Sequence, residues 1–246
     1  MKSTRLIMGM PISREVVGEA EDAVERVFEY LREVDETFST FKPGSVISRI
    51  NRGELQPAAA PAEVRQVLAD CEVMGRRTDG YFDIRRGKGI DPSGLVKGWS
   101  IGEAAKLLAL EGAHNFCLEA GGDIVVRGMN PDGKEWHVGI RNPRQRDEIV
   151  KVLKLTGMAV ATSGTYERGE HIYDPHTGKA ATTWLSLTVV GPDIVTADVF
   201  ATAACAMGPG GPVWVAKQGL ECYAIGHDER AVFTPGLERF LLTAAP

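Results

Sequence analysis

The stretch "NFCLEAGGDIVVRG", residues 115–128, decides how the chain is read. Two apolar-rich runs flank Gly121-Gly122, and a Gly-Gly step accepts the positive φ of a two-residue hairpin turn. Residues 115–128 therefore read as two adjacent strands. The sequence changes texture on either side of them. Upstream, Val24, Val27, Phe28, Leu31, Val34 and Phe38 recur at helical spacing and predict an amphipathic helix over 17–38. Pro43-Gly44 ends that region, and Ser45 is placed to cap a short helix through Ile50. Pro61 opens a second long helix, with Val64, Val67, Leu68, Cys71 and Met74 on one face. A third is expected from Lys97 to Glu111, stopped by Gly112.

Downstream, "WHVGI", "IVKVLKLT", "MAVATS" and "WLSLTVVG" are strand candidates. Residues 195–207 return to helix before Gly208, and "ECYAIG" closes as a last strand. "NPDGKE" (130–135) reads as a hairpin loop and "RNPRQRDE" (141–148) as a solvated loop. Helices first, then neighbouring strands, then a helix indicate an α+β class with a largely antiparallel sheet packed with helices. No repeat or linker divides the 246 residues, so a single domain over 1–246 is expected.

Composition narrows the function. The chain is 43% hydrophobic and 25% charged, with a formal net charge of −5. No basic surface invites nucleic acid. The four cysteines form no C-x-x-C pair, which fits a reducing compartment. The opening "MKSTRLIMGMPISREVV" has only a short apolar run before Pro11, and no stretch is long enough for a membrane anchor. A cytoplasmic setting is expected.

Several segments carry chemistry. In "ADVFATAA" (197–204), Asp198 and Thr202 share one helix face, as hard oxygen donors for Mg²⁺ or Ca²⁺ or as an ordinary helix-start Asp and a back-bonding Thr. In "GIDPSGLVKGWS" (89–100), Asp91, Gly94 and Lys97 stand three apart, as a phosphate-approach loop or a plain entry into a helix. Asp123 follows the Gly-Gly turn, and Thr162, Ser163 and Gly164 leave a strand together. In "GEHIYDPHTGK" (169–179), Asp174-Pro175 and Gly178 suffice for a turn, so His171 and Thr177 ask for another explanation.

These blocks and their order resemble the ApbE family of FAD:protein FMN transferases. "MGM" (8–10), "FSTFKPGSVISRIN" (38–51), "GYFDI" (80–84), "DPSGLVKG" (91–98), "AGGDI", "ATSGTYE", "HIYDPHTG" and "ADVFATA" match its motifs across most of residues 8–208. The resemblance implies a T-fold-related architecture and Mg-dependent transfer of FMN from FAD to a Ser/Thr hydroxyl of a target flavoprotein. It implies that Asp198, Thr202 and the Gly94 carbonyl hold Mg²⁺. FAD would meet Met8, Phe41, Tyr81, Phe82, Asp83, Asp91, Lys97, Asp123, Ser163 and Ile172. His171 would be the catalytic base.

The chain also departs from the family. Only seven residues (84–90) separate Asp83 from Asp91, where relatives carry a longer segment. Phe41 replaces a Tyr, and His176 replaces an Arg. Two alternatives stay open: a Mg-dependent FAD pyrophosphatase, and a non-catalytic flavin-binding scaffold. The acceptor signature of the family's targets is absent from the chain, so self-flavinylation is not expected.

Overall fold

The computed structural model describes residues 2–18, 21–87, 89–145, 147–164 and 172–242. In chain order these form β1 (Lys2–Ile7), β2 (Met10–Val16), α1 (Glu21–Phe38), α2 (Val46–Asn51), α3 (Ala62–Arg77), β3 (Arg85–Arg86) and β4 (Gly89–Ile90). There follow α4 (Ser93–Leu110), β5 (Phe116–Ala120), β6 (Asp123–Arg127), β7 (Trp136–Arg141), β8 (Ile149–Leu155) and β9 (Met158–Gly164). The last elements are β10 (Trp184–Gly191), α5 (Ile194–Ala206), α6 (Gly211–Lys217), β11 (Glu221–Gly226) and β12 (Ala231–Phe233).

Eight strands make one sheet in the order β1-β2-β5-β6-β9-β10-β11-β12, and every neighbouring pair is antiparallel. The expected hairpin stands at its centre: Ala120 faces Asp123, with Gly121 at φ 55° and Gly122 at φ 90° in the turn. The mixed class with a large antiparallel sheet is therefore as the sequence predicts.

Both sheet faces are covered. On one, the apolar stripe of α1 (Val24, Val27, Phe28, Leu31, Val34, Phe38) joins α3, α4 and α5 over Ile12, Leu118, Leu187 and Val189. On the other, the β7–β8 pair lays Trp136, Val138, Ile140, Leu153 and Leu155 over Val160, Val190, Tyr223 and Ile225. The strand β10, covered from both sides, is buried at every position. Mostly small and apolar residues make up α5, which packs between α4 and the strands β9 and β10. Among the described residues, no helix is long and apolar enough to cross a membrane.

Four details differ from the sequence reading. Residues 2–16 form the β1–β2 hairpin, turning at Met8 and Gly9 with φ 53° and 70°, so α1 begins later than residue 17. Its first strand is an edge with mostly polar, solvent-touching positions, and the second turns the charged Arg14 inward, which hides the alternation. Residues 130–135 are not a hairpin loop, because β6 pairs with β5 and β9 while β7 pairs with β8. The hairpin connection is instead the charged 141–148 loop. Finally, α4 begins at Ser93 rather than Lys97, so Gly94 and Lys97 lie inside its first turns.

Candidate active site

The site gathers where α4 crosses α5 above the end of the central hairpin. Gly98 makes that crossing possible. A Cβ there would stand 3.0 Å from the Ile194 carbonyl oxygen and 3.0 Å from both Cβ and Oδ2 of Asp198. Without one, the Gly98 N–H donates to Asp198 Oδ2 at 2.9 Å. Gly102, one turn on, would meet Ile194 at 3.2 Å. The Gly98-x-x-x-Gly102 spacing was the sequence signal for this close approach, and the sequence reading missed it.

Three charges meet beside this contact. Lys97 Nζ lies 2.7 Å from Asp123 Oδ2 and 3.4 Å from Asp198 Oδ1. Asp123 is wholly buried and Asp198 is 1% exposed. The remaining oxygen of Asp123, Oδ1, accepts from the Thr162 N–H at 3.2 Å. Next along β9, Ser163 Oγ hydrogen-bonds Thr202 Oγ1 at 2.9 Å, and Thr202 sits one helical turn beyond Asp198. Lys97, Asp123, Ser163, Asp198 and Thr202, drawn from four elements, thus form one connected group. Gly94 lies one turn before Gly98 on α4. On the other face of β9, Thr162 pairs its hydroxyl with Thr188 at 2.8 Å, a partner the sequence did not reveal.

Two carboxyls facing one ammonium in a dry environment would carry an excess negative charge if both were ionised. Burial pushes the Asp198 pKa up to about 8, against the pull of Lys97 and with the help of Asp123. Burial also raises that of Asp123, with Lys97 opposing. Burial alone would lower that of Lys97, but the two carboxylates outweigh it and hold the ammonium charged. A further cation could take the place of the Asp198 proton. The group's available donors are carboxylate and hydroxyl oxygens, which suit a hard divalent ion. Among the described residues, no three His, Cys, Asp or Glu side chains cluster to hold a metal by themselves.

The β1–β2 turn carrying Met8 abuts the central hairpin: a Cβ on Gly121 would lie 2.7 Å from Met10 Sδ. Phe82 is 5% exposed and packs under Gly94, whose Cβ would touch its ring at 3.2 Å. Tyr81 meets His176 edge-on, with centroids 4.5 Å apart. Asp83 accepts from the Arg85 N–H at 2.9 Å, and Asp91 accepts from the Ser93 N–H at 3.1 Å where α4 begins. Ile172 is buried, and its carbonyl accepts from Ala181. Phe41 stands 93% exposed. His171, the expected base, lies outside the described residues.

The shortened 84–90 segment contains the β3–β4 pair, with Arg85 opposite Ile90. The Asn51 amide clamps it, donating to the Ile90 carbonyl at 2.9 Å and accepting from the Ile90 N–H at 2.8 Å. Tyr173 adds a hydrogen bond from its hydroxyl to the Arg85 carbonyl at 3.2 Å. The 174–178 turn also explains Thr177, whose hydroxyl donates to Asp174 Oδ2 at 2.9 Å, while Asp174 Oδ1 accepts from the His176 N–H. Thr177 is thus part of the turn itself, contrary to the sequence reading.

Comparison with known proteins assigns the chain to a family. The model of the ApbE family matches residues 8–88 and 85–224, and the chain belongs to that family. A FAD:protein FMN transferase of Klebsiella pneumoniae (strain 342) is 32% identical over 167 residues, covering 62% of this chain and 48% of the relative. One from Haemophilus influenzae is 25% identical over 291 residues, covering 92% and 84%. The chain spans about half the length of the first curated relatives it matches. The ApbE protein of Thermotoga maritima MSB8 superposes with a TM-score of 0.88 at 21% identity, covering 99% of each chain. The flavin transferase ApbE of Vibrio cholerae gives 0.84 at 22% identity, covering 98% of this chain and 99% of that one. These two likenesses establish the fold.

Proposed function

We propose that this protein transfers FMN from FAD to a Ser or Thr hydroxyl of an acceptor protein, with Mg²⁺ as cofactor. The observation that carries the reading is the buried group of Asp123, Asp198 and Lys97 beside the Ser163 and Thr202 hydroxyls, in a chain of the ApbE family. A diphosphate is a poor electrophile while its charge is unscreened, and a group with two carboxyls to one ammonium, able to exchange a proton for a metal ion on hard oxygen donors, suits the cation that screens it.

In this reading Asp198, Thr202 and the Gly94 carbonyl hold Mg²⁺, which when bound neutralises diphosphate charge. Lys97, 22% exposed at its side chain, offers a second positive charge to the phosphates. Met8, Tyr81, Phe82, Asp83, Asp91, Ser163 and Ile172 border the flavin and ribityl chain, and Phe41 covers it from the solvent side. The β3–β4 pair, clamped by Asn51, supplies the pocket wall that a longer segment supplies in relatives.

The acceptor oxygen forms a bond to the FMN phosphorus as the anhydride bond to AMP breaks, and AMP leaves with the electron pair. The hydroxyl proton passes to His171, a role that rests on the family resemblance. The test is mass spectrometry of an acceptor protein incubated with FAD, Mg²⁺ and this protein. FMN attached to a Ser or Thr supports transfer. AMP and free FMN without modified acceptor would mean hydrolysis, and unchanged FAD a scaffold. His171→Ala should still bind FAD yet lose transfer by roughly 10²- to 10⁴-fold.

A further inference from the structure

Asp123 exposes no atom to a substrate. It is wholly buried; Oδ1 accepts from the Thr162 N–H, and Oδ2 lies 2.7 Å from Lys97 Nζ in an ion pair, with no hydrogen-bond donor aligned on it among the described residues. Its place is fixed by the hairpin, because Ala120 opposite and the Gly-Gly turn before it leave the side chain one direction to face. Lys97 is closer to Asp123 than to Asp198, at 2.7 Å against 3.4 Å. Asp198 in turn keeps the Gly98 N–H on one oxygen and the longer Lys97 contact on the other, and its carboxyl lies within hydrogen-bonding reach of Asp123.

We infer that Asp123 is a positioning residue rather than a flavin contact: it draws the Lys97 ammonium off Asp198 and so leaves Asp198 Oδ1 open to a divalent cation. The inference rests on the metal assignment proposed above. An ammonium and a divalent ion compete for the same carboxylate, and the winner depends on where else the ammonium can go. Asp123 supplies the second place. Without its charge, Lys97 is left with Asp198 as its buried carboxylate neighbour among the described residues, and closes on it.

The experiment measures Mn²⁺ binding to the purified protein by electron paramagnetic resonance, without FAD and without any turnover. Asp123→Asn keeps an oxygen for the Thr162 N–H and removes the charge. It should bind Mn²⁺ about 10- to 100-fold more weakly than the parent, the usual cost of losing a partner that orients a ligand set. Adding Lys97→Met should restore binding to within a few-fold of the parent, because the competitor is gone. A role confined to bracing Thr162 would leave the double variant as weak as the single one, and that result overturns the inference. Equal binding by the parent and Asp123→Asn overturns it too. If Asp123→Asn does not fold, Lys97→Met alone decides: it should bind Mn²⁺ at least as tightly as the parent, and weaker binding contradicts the inference. A parent that binds no Mn²⁺ removes the metal assignment itself, a failure distinct from the others.

Discussion

Asp198 shows how much one residue's burial can say. An unfolded Asp loses its proton near pH 4, whereas burial holds the Asp198 proton to about 8. Between those values the folded chain binds a proton that the unfolded chain has released. Stability of the metal-free protein should therefore fall as pH rises across that window, and level off above it. Asp198→Asn keeps an acceptor for the Gly98 N–H and has nothing to titrate. Thermal unfolding of the metal-free pair from pH 5 to 9 checks this: the parent curve slopes down and the variant's slope is smaller. The same variant should lose at least about 100-fold in turnover, since the diphosphate charge goes unscreened. Asp198 and Thr202 were visible in the sequence as an i, i+4 pair, because helix geometry alone puts them on one face. Their partners Asp123 and Lys97 were visible only as isolated polar residues. Nothing local says that a strand start at 123 will meet a helix residue at 97.

At the scale of elements, the site depends on two helices touching at glycine. Gly98→Ala would push a Cβ to within 3.0 Å of the Ile194 carbonyl and of Asp198. The helices must part, at a cost of about 1–3 kcal/mol typical of overpacking. For a chain of this size that lowers Tm by roughly 2–12 °C, and metal affinity should fall with it. The β3–β4 pair depends on Asn51 in the same way. Asn51→Ala removes two hydrogen bonds to Ile90, about 1–3 kcal/mol in total. If that pair is the pocket wall, the KM for FAD should rise more than kcat falls; calorimetric titration with FAD checks the binding half. The long helices and central strands were legible because their apolar stripes face a core: all six stripe residues of α1 are buried. The β1–β2 hairpin was not, since an edge strand alternates weakly when charged side chains guard it. The partner of β7 was not legible either, because a turn-rich loop such as 130–135 says that the chain reverses and not which strand it rejoins.

Across the whole molecule, the sheet brings distant segments to one end. The Met8–Gly9 turn, the Gly121–Gly122 turn, the close of β9 and the first turns of α4 meet there, although 155 positions separate residue 8 from Ser163. Ligand binding across these segments should stabilise the chain as a unit. FAD and Mg²⁺ together should raise Tm by several degrees at saturating concentration, more than either alone, which differential scanning fluorimetry reads directly. The central claim is that the carboxylate–ammonium group beneath this end drives flavin transfer. Its most direct test is the intact mass of an acceptor protein after incubation with FAD, Mg²⁺ and either the parent chain or Asp198→Asn. The account predicts that the parent adds one FMN to the acceptor and that Asp198→Asn leaves it nearly unmodified over the same time. Equal modification by both, with limiting Mg²⁺, would contradict it.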